Sequence, residues 1–220
     1  MSEPSDRTLD EIRALLAPAL ARHAAFDGWR PPAVAMAAAE NDIDADIAAL
    51  AFADGAIDMI DAWFASIDAR MVEAVPAEEL AALSIRRKII ALVEARLALL
   101  APDREALRRA IAILALPTNA VRAAKLGWRA ADVMWRAAGD VTADFAHYSK
   151  RTTLTAVYAA TLLVFVDDDS EGHADSRAFL ARRIEDVMRF EKAKAKFKGV
   201  GGGERLSLSR FIGRLRYPAV

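Results

Sequence analysis

The residue types able to do chemistry in this 220-residue chain are few, and several gather in one stretch. There is no cysteine, which excludes disulfides, thiolate metal sites and cysteine nucleophiles. The three histidines are His23, His147 and His173, and none stands three residues after a glutamate. A carboxylate-bridged di-iron bundle needs two such Glu-x-x-His pairs, so that chemistry is excluded. Asp42, Asp44 and Asp46 project in different directions from a helix start and read as solvated surface rather than metal ligands. The run GVGGG lacks the lysine that follows a phosphate-cradling loop. No catalytic set, metal set or cofactor is therefore expected, and the chain reads as a protein that is not an enzyme. What remains is Asp144, His147, Tyr148 and Arg151, which span two turns of one helix. Asp144 and Tyr148 are four apart and Tyr148 and Arg151 three apart, a spacing that predicts one surface cluster. By spacing alone this is a core seam beside a solvated face.

Helical periodicity must carry these residues. Hydrophobic residues make up 55% of the chain and aromatics 7%, a balance that favours closely packed helices over a β-rich core. Residues 6–24 begin a helix, with Ile12, Leu15, Leu16 and Ala19 at helical spacing. Pro31 and Pro32 start a second that ends near Asn41, and a third covers 44–53. Ile57, Ile60, Phe64, Ile67 and Met71 mark a longer amphipathic helix, stopped by Pro76. The next stripe runs from Leu83 to Leu100, and another helix from Asp103 to Leu116, closed by Pro117. A helix over 121–138 has Gly139 as its stop. A long one, capped by Asp140 or Thr142, ends near Val166, and the last covers 175–197. No segment alternates, so the fold class is all-α. Trp63 and Phe64 are expected in the core, His23 as a capping or surface residue, and Asp167–Asp169 in a solvated loop.

The organisation expected is one helical domain over 1–198, a glycine-rich linker over 199–203 and a tail over 204–220. In the tail, Leu208, Phe211, Ile212 and Leu215 share a helical face, with Arg210 and Arg214 opposite and Arg205 and Arg216 on its flanks. An anionic membrane surface satisfies both the apolar face and the arginines. The stretch from Thr152 to Val166 falls short of the ~20 residues needed to cross a bilayer. The N-terminus, MSEPSDRTLDEIR, is polar and acidic, the reverse of a presequence. These features predict a cytoplasmic protein, peripherally associated with the inner membrane.

Residues 1–75 have the layout of a degenerate helix-turn-helix region, with Ala33–Ala39 and Ile43–Ala51 as its paired helices. From Pro31 to Ala69 there is no lysine or arginine, while Asp44 and Asp46 stand at the end that should meet base edges. Phosphate neutralisation by cations supplies essentially all non-specific DNA affinity. No nucleic acid is expected as a partner.

The most distinctive stretch is WRAADVMWRAAGDVTADFAHYSKR, Trp128 to Arg151, followed by AVYAATLLVFVDDDSEG and FLARRIEDVM. With IRRKIIALVEARLALLAP and REALRRAIAILALPTN upstream, it resembles the ninth coenzyme Q biosynthesis protein family over about residues 28–198. The AGD…DF…Y.KR pattern is the specific part. The resemblance implies a TetR-like helical bundle that has lost DNA binding and is usually a homodimer. It implies an isoprenoid lipid or quinone intermediate held inside, for which Trp128, Met134 and Trp135 are wall candidates. It also implies partnership with the di-iron demethoxyubiquinone hydroxylase, through a surface comprising Asp140, Asp144, His147, Tyr148 and Arg151, and membrane docking by the tail. One position departs from the pattern: His147 stands where a tryptophan is expected beside the tyrosine. Two other readings stay open, a ligand-responsive TetR-type regulator and a general lipid-binding protein.

Overall fold

The computed structural model of the protein describes residues 7–142 and 145–200, with backbone alone for residue 145 and residues 194–200. Among these residues every regular element is helical, as the lack of alternation predicts. Asp144 and all eight tail positions, Arg205, Leu208, Arg210, Phe211, Ile212, Arg214, Leu215 and Arg216, lie outside the described residues.

Helix α1, Leu9–Asp27, opens with a capping box: the Glu11 amide donates to Thr8 Oγ1 at 3.3 Å, and the Thr8 amide donates to Glu11 Oε2 at 2.8 Å. It ends at Gly28, whose φ of +74° is one that side chains rarely adopt. Helix α2, Pro31–Glu40, starts on two prolines whose missing amides cost nothing in a first turn. Helix α3, Ala45–Ala51, is capped by Asp44, which accepts from the amides of Asp46 and Ile47. Helix α4 spans Ala56–Ala74. After it comes α5, Ala77–Ala81, too short for its periodicity to register in the sequence. Helices α6, Ile85–Leu100, α7, Arg104–Leu114, and α8, Ala120–Ala137, follow. Gly139, at φ +88°, stops α8 by donating its amide to the Arg136 carbonyl at 2.9 Å. Helix α9 is Phe145–Phe165, and α10, Ala174–Val200, reaches two residues into the stretch read as a linker.

The chain up to Ala181 forms one compact unit. Beyond it, α10 carries its own local ion pairs, Arg183 with Asp186 and Arg189 with Glu185, each at 2.8 Å. No described helix is long and apolar enough to cross a membrane.

Two devices join the first four helices to the rest of the first unit. The first is aromatic. Trp29 is buried, donates its indole N–H to the Ala106 carbonyl of α7 at 3.0 Å, and lies 5.3 Å from Trp63. Trp63 in turn lies 5.2 Å from Phe64, and both fill core space as expected. The second is ionic. Arg122 of α8 reaches Asp54 at 3.0 Å and Asp58 at 3.7 Å. Seven residues on, Arg129 pairs with Asp61 and, at 3.1 Å, with Asp68. Helices α4 and α8 thus run in the same direction with their charges in register. Four of the eight acids between Pro31 and Ala69, namely Asp54, Asp58, Asp61 and Asp68, are taken up by α8.

Deeper still, Arg96 of α6 is 1% exposed and pairs with Asp68. Its Nε donates to the Tyr158 hydroxyl at 3.0 Å, and its guanidinium carbon lies 5.1 Å from the Tyr158 ring centre. Burial pushes the Tyr158 hydroxyl up from its ordinary value, against the pull of Arg96, so it stays protonated. This cluster ties α4, α6 and α9 across the middle of the bundle.

Candidate functional site

Helices α8 and α9 pack antiparallel, and their register follows from three contacts. The Trp135 indole N–H donates to the Lys150 carbonyl at 3.2 Å, Asp132 meets Arg151 at 2.6 Å, and Thr155 Oγ1 donates to the Gly127 carbonyl at 3.2 Å. Gly127 permits the approach: a Cβ there would lie 2.7 Å from Thr155 Cγ2.

Arg151 is the centre of the site. Its side chain is only 2% exposed and it fastens Asp132 on one side and, at 3.1 Å, Asp140 on the other. Arg151 Nη1 also donates to the His147 carbonyl at 3.3 Å. The sequence spacing puts Arg151 on the surface, and the structure corrects this. Three residues turn a helix by about 300°, so an exposed Tyr148 leaves room for Arg151 to face inward. Asp140 is likewise interior, with a 5% exposed side chain that accepts from Lys150 Nζ at 2.8 Å and from Thr142 Oγ1 at 2.9 Å. Burial raises its carboxyl, but the hydrogen bonds from Lys150, Thr142 and Arg151 outweigh that and hold it down at about 2. Asp132 and Lys150 complete the cluster; both stand in the distinctive stretch, Lys150 within its Y.KR end, but spacing singles out neither as a site residue. Only the antiparallel packing of two helices reveals them.

Over this charged base sits an aromatic platform. Tyr148 is 60% exposed, with its ring 6.0 Å from Trp128 and 5.2 Å, edge-on, from His147. His147 is half-buried and its Nδ1 lies 2.8 Å from the Thr142 carbonyl. A carbonyl only accepts, so Nδ1 carries the proton and Nε2 is the acceptor in the neutral ring. The platform is thus aromatic on two sides and polar on the third.

The lipid-wall candidates fare differently from one another. Met134 is fully buried, and Trp135 is half-buried, with Lys150 Nζ 5.4 Å above its ring. Trp128 belongs to the platform. A groove of about 560 Å³ does exist between α1 and α4, walled by alanines and Pro18, but charged side chains including Asp10, Arg13, Asp61, Arg70 and Arg129 also line it. None of Trp128, Met134 and Trp135 lines it.

At the far end of α9 the acidic run is less solvated than its composition suggests. Asp168 is buried and accepts from the amides of Ser170, at 2.9 Å, and Ser176, at 2.8 Å. Arg104 and Arg108 of α7 hold its neighbours Asp169 and Asp167, each at 2.8 Å. Asp103 begins α7 without a capping hydrogen bond, and burial pushes its carboxyl up from its ordinary value. His23 meets Glu40 at 2.7 Å on the surface of the N-terminal helices.

Residues 120–191 match the COQ9 family model, a span that covers α8, α9 and the platform. The mitochondrial ubiquinone biosynthesis protein COQ9 of Homo sapiens is 38% identical over 109 residues, half of this chain and 34% of that protein. The Xenopus tropicalis protein of the same name is 31% identical over 168 residues, 73% of this chain and 53% of the relative. The Drosophila melanogaster one is 25% identical over 87% of this chain and 60% of its own length. The chain therefore spans about a third to three-fifths of these relatives. Among solved structures, a TetR transcriptional regulator from Nitrosomonas europaea superposes with a TM-score of 0.62 at 24% identity, covering 80% of this chain and 97% of that one. That likeness establishes a TetR-like fold. Through the segment that builds the platform, this chain belongs to the COQ9 family.

Proposed function

We propose that the protein acts in ubiquinone biosynthesis as a non-catalytic accessory factor, and that the Trp128–His147–Tyr148 platform is where it engages its enzyme partner. The partner is the di-iron hydroxylase that modifies demethoxyubiquinone, within an assembly of ubiquinone biosynthesis proteins. The observation that carries this reading is an exposed aromatic surface fixed from below by a buried charge cluster, inside the segment shared with the family. Rigid aromatic side chains make strong interface anchors because they bury much area for little lost freedom. Arg151, Asp140 and Lys150 supply that rigidity and do not themselves touch the partner.

A polyprenyl substrate will not leave a bilayer unaided, since each exposed CH₂ costs about 0.8 kcal/mol. The protein therefore holds an isoprenoid lipid or quinone intermediate against its apolar helices while the cationic tail docks it on the membrane surface. The outer side of α9 carries exposed Thr152, Ala156, Ala159 and Leu163 without a charge among them, a strip suited to pairing with a second copy. Mass spectrometry of lipid extracts tests the role: cells lacking the gene accumulate demethoxyubiquinone and lose ubiquinone. An unchanged quinone profile would contradict it.

A further inference from the structure

The acids of the N-terminal helices are not all spent in the same way. Glu40 is covered by Arg22 at 2.9 Å and His23 at 2.7 Å, and Asp54, Asp58, Asp61 and Asp68 pair with arginines of other helices. Asp42 and Asp46 are exposed, and neither has an ion pair among the described residues. Beside them, α3 shows solvent two large apolar side chains one turn apart, Ile47 at 40% and Leu50 at 63% exposed. Asp46 lies one turn from Leu50, so the carboxylate and the apolar pair share a face. The neighbouring helix α2 adds Met36, 51% exposed.

An isolated exposed leucine needs no explanation, but apolar side chains rimmed by acids on a short, rigidly capped helix present a surface with a definite complement. The charge sign decides its class. Duplex nucleic acid and anionic lipid are both disfavoured, because α2, α3 and the turn between them carry Glu40, Asp42, Asp44 and Asp46 and no lysine or arginine. Arg13 of α1, which reaches the Ala51 carbonyl, is paired with Asp10. A helix with an apolar stripe between lysines or arginines satisfies both features of the face at once.

We propose that the exposed face of α2 and α3 is a docking surface for a cationic amphipathic helix of a partner protein, with apolar side chains seated on Ile47 and Leu50 and cations opposite Asp42 and Asp46. In the helix-turn-helix layout α2 and α3 are the paired helices, and the acids of α3 suit that exposed element to a cationic protein segment. This surface is separate from the platform on α8 and α9, and either stands without the other.

The test uses the full-length protein and fluorescence anisotropy of a labelled peptide of about 18 residues patterned as an amphipathic leucine/lysine helix. A leucine/glutamate peptide of the same pattern is the control. Two variants probe the two halves of the face, Ile47→Ser with Leu50→Ser, and Asp42→Asn with Asp46→Asn; Asp44 is left intact because it caps α3. The leucine/lysine peptide is expected to bind saturably, the glutamate peptide not to bind, and each variant to weaken binding by about tenfold with unchanged circular dichroism. Added salt should erode what the aspartate variant leaves less than what the serine variant leaves. Equal affinity for the two peptides, or binding indifferent to both variants, would overturn the proposal. So would binding of the protein, in the absence of peptide, to duplex DNA or to vesicles containing phosphatidylserine that the serine variant abolishes, or self-association abolished by the same variant, since each gives the face to another occupant.

Discussion

Among the described residues two arginines are almost completely buried, Arg96 in the middle of the bundle and Arg151 beneath the platform, and they do different work. The partners of Arg96, Asp68 and Tyr158, sit on long helices whose positions are fixed by core packing on every side. Arg151 spans a helix residue, Asp132, and Asp140, which lies just past the end of α8. One arginine ties helices that already pack; the other holds a connection in place under an exposed aromatic surface. A buried ion pair is weak evidence for net stability, since hydrophobic replacements often do as well. Where it fixes a segment that packing cannot reach, position rather than energy is what it supplies.

Removing a single partner from each cluster separates these roles. Arg96→Ala leaves the Tyr158 hydroxyl unpartnered beside a fully buried void, with Asp68 keeping Arg129 alone, and is expected to cost about 3–5 kcal/mol in urea unfolding. Arg151→Ala is expected to cost less, about 2 kcal/mol, because Asp132 keeps Arg136 at 2.9 Å and Asp140 keeps Lys150. Its larger effect is local: amides around 138–142 should exchange with deuterium faster while those of α4 and α6 are unchanged. If Arg151→Ala destabilises the whole bundle as severely as Arg96→Ala, the contrast between the clusters fails.

Gly127→Ala probes the helix packing above them. The new methyl cannot coexist with Thr155 Cγ2 at its present position, and overpacking of this kind costs about 1–3 kcal/mol. Pairing it with Thr155→Ser, which removes that methyl, should restore most of the loss in thermal melts.

Acid distinguishes the clusters by another route. The Asp140 carboxyl is depressed to about 2 when folded, against about 3.9 in an unfolded chain. Its contribution to stability is therefore present above pH 4 and lost as the pH falls through 4 towards 2. Asp140→Asn should flatten that part of the profile by lowering stability above pH 4, leaving the slope between pH 5 and 8 unchanged. A variant whose profile falls as steeply as the wild type's below pH 4 would contradict the reading.

The order of helices was legible because prolines and glycines punctuate the chain and the apolar stripes recur at helical spacing. The short helix α5 was not, since five residues cannot show a period. The site was legible only in part. Motif resemblance picked out Asp140, Tyr148 and Arg151, but a three-residue step sets two side chains about 60° apart, and which of them faces out depends on the rotation of the whole helix, which spacing does not give. Asp132, Lys150 and Asp168 acquire their roles from contacts 10 to 19 residues away or from the burial of a turn, which no local pattern records. The acids of α4 illustrate the same limit. Their sign was legible as an argument against DNA, while their use, pairing with Arg122 and Arg129 of α8, emerged only from the packing.

The smallest structural change tests the central claim most directly. Tyr148→Ala removes an exposed ring and is expected to alter stability by less than about 0.5 kcal/mol. Cells lacking the gene are supplied with the wild-type chain or with this variant, and the ratio of demethoxyubiquinone to ubiquinone is measured in their lipid extracts. The account predicts that the wild type restores ubiquinone and that Tyr148→Ala, at equal protein level, leaves demethoxyubiquinone accumulated. Full restoration by Tyr148→Ala would contradict the assignment of function to the platform.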